Sequence, residues 1–112
     1  MKNVFNNDPF YIVYTAANNL YSKEISKISG IYWYPNLEDN GNKVYGITDF
    51  LDNNEIVIYI DPQLSVENAV EILAHELSHV VAGIENAHNE KWEEVFENIH
   101  KEYEKIYFDM EI

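Results

Sequence analysis

The run from Ser65 to Ala82 constrains this chain more than any other, because it is apolar on nearly every side yet carries two histidines four residues apart with a glutamate between them. Ala69, Val70, Ile72, Leu73, Ala74, Leu77, Val80, Val81 and Ala82 leave little polar surface. A helix of that pattern belongs at the centre of a fold. Ser65 suits the N-cap, Glu67 puts a negative charge in the first turn, and Gly83 suits the position just past the end. His75 and His79 are then polar groups set into an apolar element, which costs free energy unless each finds a partner.

On a helix, residues four apart lie about 40° apart around the axis and roughly one turn apart along it. His75 and His79 can therefore reach one metal ion from the same face. Glu76 can lean over the metal's open position, ready to take a proton from a bound water. The plainer reading is two histidines hydrogen-bonded in the core. The glutamate between them, on a helix with a clear start and stop, favours a metal site.

Zinc sites that do chemistry usually have three protein ligands and one open position. Of the four histidines, the other two, His88 and His100, both lie downstream. His88 follows the break at Gly83 and the polar turn Glu85-Asn86, at the start of the next helix, and is the expected third ligand. Glu97, His100, Glu94 and Glu93 on that helix are the alternatives, since a carboxylate from a following helix can also complete such a site.

His75-Glu76-x-x-His79, followed after a short loop by His88-Asn89-Glu90-Lys91-Trp92, resembles the SprT-like and related minimal zincin metallopeptidases. The resemblance covers roughly residues 54 to 100. It implies that His75, His79 and His88 bind zinc and that Glu76 is the general base. The cysteine-bearing zinc ribbon and basic surface of the DNA-associated members are missing, so a role in DNA–protein crosslink repair is not implied. The segment Ile56-Val57-Ile58-Tyr59-Ile60-Asp61-Pro62 also resembles the ImmA/IrrE-type peptidases, whose members continue with a longer helical region. That family ranks second.

A chain of 112 residues has room for one domain, taken here as a zincin-like unit over 1–112. With 46% hydrophobic residues it is too apolar for a disordered chain. No apolar run approaches the ~20 residues of a membrane span, and no export signal is read at the N-terminus. The absence of cysteine excludes a disulfide framework and thiolate zinc ligands, and fits a cytoplasmic protein. The formal charge of −13 opposes binding to nucleic acid or anionic membranes and favours a basic peptide or protein substrate.

Elsewhere the pattern predicts an α+β domain. Asp8-Pro9 starts a helix that Gly30 closes. Ile31–Tyr34, Lys43–Leu51 (interrupted at Gly46) and Glu55–Ile60 read as three strands of a mostly antiparallel sheet. The metal-binding helix follows, then a C-terminal amphipathic helix from about Ala87 to Tyr107, with Trp92 anchoring it one turn after His88.

The expected activity is a zinc-dependent metallopeptidase that cuts peptide bonds through a metal-activated water, with one catalytic ion. The rival is a non-catalytic, metal-stabilised acidic binding module. Tyr103, Tyr107 and His100 are positional candidates for the oxyanion donor. The resemblance also implies that Tyr103 to Ile112 could cover the cleft as a self-inhibiting segment.

Overall fold

The computed structural model describes residues 8–109. Helix α1 spans Pro9–Ile25; the Asp8 carboxylate accepts the N–H of Phe10 at 2.9 Å, and Pro9 takes the first helical position. Strands β1 (Ile28–Trp33), β2 (Glu38–Asp39), β3 (Asn42–Lys43), β4 (Gly46–Phe50) and β5 (Ile56–Ile60) follow. Then come helix α2 (Val66–Ala82), a single 3-10 turn at Ile84–Asn86, and helix α3 (Glu90–Asp109). The architecture is the α+β domain anticipated. No described helix is long and apolar enough to cross a membrane.

The three-stranded sheet runs in the order β1-β5-β4. β1 pairs parallel to β5 and β4 antiparallel to it, while β2 and β3 form a separate antiparallel hairpin. Two of these three pairings are antiparallel. The expectation that Gly30 closes the first helix is corrected: α1 ends at Ile25, and Ile28 and Gly30 pair with Ile56 and Val57. Helix periodicity in the local sequence could not reveal a competing main-chain partner 27 residues away.

β5 places Ile56, Ile58 and Ile60 on the face covered by the helices, all buried. They pack with Val13 and Ala17 of α1, Leu73 and Leu77 of α2, and Val95 and Ile99 of α3. Each large aliphatic buried this way contributes about 1.5–3 kcal/mol. α2 lies in the middle, against the sheet and both other helices. Its caps are the ones the sequence suggests: Ser65 Oγ accepts from Asn68 N–H, and Gly83, at φ 91°, donates its N–H to the His79 carbonyl. Ser78, fully buried, donates to the Ala74 carbonyl at 2.7 Å.

Candidate metal centre and its cleft

His75 and His79 emerge from one face of α2, as their spacing requires. His88 comes from the loop after the 3-10 turn, just before α3 rather than within it. Its backbone is left-handed, at φ 59°. Such a conformation is uncommon in non-glycine residues, though tolerated by histidine, and costs of order 1 kcal/mol or more. Asn89 starts α3 by accepting the N–H groups of Lys91 and Trp92 on its side-chain oxygen. The sharp turn at His88 sends its ring back over α2.

The three Nε2 atoms meet. They are separated by 3.2 Å (His75 to His79), 3.1 Å (His79 to His88) and 3.0 Å (His75 to His88). A neutral imidazole nitrogen offers either one proton or one lone pair, never both. Among three such atoms in mutual contact at least two must be alike, so all three contacts cannot be hydrogen bonds. A cation accepting three lone pairs satisfies every one. In a tetrahedral zinc site with Zn–N distances near 2.0–2.1 Å, the nitrogens stand about 3.3 Å apart, close to the spacing seen. The residues present therefore fit a divalent ion of that type. They form the sole cluster of this kind among the described residues.

Two of the three rings, His75 and His79, favour the neutral form that a metal ion would need. Burial, then the neighbouring imidazoles, lowers the His79 pKa to about 4. Burial, then the neighbouring His88 imidazole, lowers that of His75 as well. Trp92 backs the cluster: its ring centroid lies 4.7 Å from that of His75 and 5.0 Å from that of His88, and its Nε1–H points to the His75 carbonyl at 3.4 Å. Phe96 stacks on Trp92 at 4.9 Å and itself lies 6.5 Å from the His75 ring. Trp92 anchors the ligand loop, as its position one turn beyond His88 suggests.

Glu76 is 6% exposed. Its Oε1 accepts the Thr48 hydroxyl of β4 at 2.7 Å. Burial pushes its carboxyl up to about 7, against the opposing effect of that hydrogen bond. A carboxyl titrating there can both take and return a proton near neutral pH. Glu76 and the three histidines line one cleft of ≈ 550 Å³, together with Gly46, Ile47 and Thr48 of β4.

Thr48 and Gly46 are the functional residues that sequence reading missed. Thr48 lies on the helix-facing side of a strand with visible alternation, but nothing local says that this strand lies beside Glu76. At Gly46, a Cβ would stand 2.6 Å from Ile72 Cγ2 and 2.9 Å from Glu76 Oε2. The break in the strand pattern at Gly46 is the trace of that close approach.

The alternative ligands are not brought to the centre. His100 lies farther along α3 in a groove with Tyr103, Tyr107 and Glu71, and its Nε2 is 3.3 Å from Glu71 Oε2 without hydrogen-bond alignment. Glu93 and Glu94 are exposed, and Glu97 is not in the cluster. For the same reason Tyr103, Tyr107 and His100 are not positioned as oxyanion donors: they line the groove between α1, α2 and α3, not the cleft. The described part of the suggested covering segment is the end of α3, and none of it lines the cleft; Met110 to Ile112 lie outside the described residues.

Comparison of the chain with protein-family models, with curated proteins and with solved structures finds no match.

Proposed function

We propose that this chain is a zinc-dependent peptidase of the zincin class, with His75, His79 and His88 as the metal ligands and Glu76 as the general base. The observation that carries the reading is the convergence of three Nε2 atoms within 3.2 Å of one another beside a buried, hydrogen-bonded carboxylate in an open cleft. A zinc ion held there would supply Lewis acidity to a scissile carbonyl and to a water molecule. Glu76 would accept a proton at its carboxylate and deliver it to the leaving amine. Thr48 keeps that carboxylate oriented, and Trp92 fixes the ligand loop.

The substrate would lie along β4. β4 is an edge strand. Tyr45 and Leu51 bond inward, to Asp61 and Glu55, so strand alternation turns the main-chain groups of Gly46, Thr48 and Phe50 toward the open edge. Among the described residues no strand occupies that side. An extended peptide pairing there would carry its backbone past Glu76. The chain's acidity favours basic segments, and its lack of cysteine suits a reducing compartment such as the cytoplasm.

The test is elemental analysis of tag-free protein purified without chelator, beside a His75→Ala/His79→Ala double variant, followed by digestion of a peptide library. About one equivalent of zinc, and cuts that vanish in Glu76→Gln, are expected. Absence of bound metal after zinc is supplied and the excess removed would sink the reading. Bound metal that stabilises the fold, with no peptide ever cut, would instead favour the acidic binding module.

A further inference from the structure

In a cavity beside the cleft the chain holds a buried carboxylate that the proposed chemistry does not use. Asp61 follows β5 directly, and its N–H donates to the Tyr45 carbonyl at 3.0 Å, so its main chain extends the pairing with β4. It is 1% exposed. Oδ1 accepts the Gln63 N–H at 2.8 Å and so shapes the turn into α2. Oδ2 is buried with no hydrogen-bond partner among the described residues, and no described cation lies within ion-pairing distance. The turn needs only one acceptor, which an asparagine would supply without a charge. Leaving a buried carboxylate oxygen unpaired is costly, and this one calls for a partner from outside the described chain.

Asp61 lines a cavity of ≈ 610 Å³. Lys43, Tyr45 and Ile72 line both this cavity and the cleft of the three histidines, so the two spaces are neighbours. Leu64 and Ile72 give it an aliphatic wall and Tyr45 an aromatic one, with Gln63, Asn68 and Glu71 completing the lining. An apolar wall ending in a buried acid matches a side chain with a long aliphatic stem and a cationic tip. Lys43 does not fill the role: it is exposed, with its ammonium 5.5 Å from the Tyr45 ring centroid.

We propose that this cavity is a subsite for a lysine or arginine side chain of the bound peptide, with Asp61 as the anion that receives its charge. The ligand's identity as a peptide rests on the peptidase reading; the cation preference rests on Asp61 and its cavity. Asp61 would thus help set which sequences are cut, taking no part in the proton transfer itself.

Two blocked pentapeptides, alanine throughout except for a central arginine or norleucine, are titrated into zinc-loaded Glu76→Gln protein by calorimetry. The arginine peptide should bind roughly tenfold tighter or more, as expected for a charged hydrogen bond, and Asp61→Asn should abolish most of that ratio. Equal affinities, no binding of either peptide, or a preference that survives Asp61→Asn would overturn the proposal. If Asp61→Asn fails to fold, by circular dichroism, the ratio is measured again at high salt, where the general field of the acidic chain is screened; a preference that disappears there would overturn the proposal. Digestion of a peptide library by the wild type separates the two claims. Preference without cleavage leaves the subsite standing and removes the peptidase; cuts with no basic residue enriched at any fixed position do the reverse.

Discussion

The hydroxyl of Thr48 lies 2.7 Å from Oε1 of Glu76 and 3.2 Å from the same residue's main-chain carbonyl oxygen. The single hydroxyl proton goes to the nearer acceptor, the carboxylate of the residue that follows His75, and the main-chain carbonyl is a longer, shared contact. The link ties sheet to metal helix at the point where proton transfer would occur.

Removing that hydroxyl should raise the Glu76 pKa further, because the hydrogen bond is the contribution that favours the charged carboxylate. In metal-free Thr48→Val, the Glu76 titration followed by carboxyl-carbon NMR should have a midpoint above the wild-type value of about 7. An unchanged midpoint would mean that the hydroxyl does not hold the carboxylate in solution.

Glu76→Gln should stabilise the metal-free protein at neutral pH. A carboxyl with a folded pKa of about 7 against an ordinary 4.5 binds more protons folded than unfolded between those values. Wild-type stability from this group therefore falls as pH rises across that window. Glutamine does not titrate and keeps an acceptor for Thr48. Its advantage should grow from pH 4.5 upward and level off above 7 at on the order of 3 kcal/mol, read by urea denaturation at several pH values. With metal bound, the same substitution should lower peptide turnover by about 10²-fold or more.

The histidines act in the opposite direction. His79, lowered from 6.5 to about 4, and His75, also lowered, hold fewer protons folded than unfolded in that range. The contribution of His79 is present above pH 6.5 and is lost as pH falls through about 4, and that of His75 has the same sign. Metal binding needs the neutral rings. Added zinc should raise the melting temperature at pH 7.5 and leave it unmoved at pH 4; a zinc shift that persists at pH 4 would implicate other ligands.

Gly46→Ala should damage the site specifically. The new Cβ meets Ile72 Cγ2 at 2.6 Å and Glu76 Oε2 at 2.9 Å, so the helix face or the carboxylate must move. Overpacking of this kind costs about 1–3 kcal/mol. Turnover should fall while zinc content stays near one equivalent, because none of the ligand histidines is touched.

Trp92→Ala should weaken metal binding without removing a ligand. Trp92 is buried and supports all three imidazole rings. The loss of such support typically lowers metal affinity about 10–100-fold, and the cavity costs about 3–5 kcal/mol of stability. Competition with a zinc chelator measures the first, denaturation the second.

The helix that carries His75 and His79 was legible in the sequence down to its caps, because Ser65, Gly83 and the 75/79 spacing act within one element. His88 was legible through its distance from the motif. The rejection of His100 as ligand, and of Tyr103 and Tyr107 as donors, was not. They share α3 with Trp92, but the burial of Trp92, Val95 and Ile99 sets the rotation of that helix and turns the later residues to the groove beside α1.

By itself the sequence determined the chemistry available: two imidazoles one turn apart, a carboxylate between them and a third imidazole within reach. These follow from covalent spacing and helical periodicity, which are local. Only the tertiary structure decided that β4 is the edge beside Glu76, that Thr48 and Gly46 shape its carboxylate, and that Asp61 stands buried in the neighbouring cavity. Those placements depend on strand order and on packing summed over the whole chain. No window of neighbouring residues contains that sum.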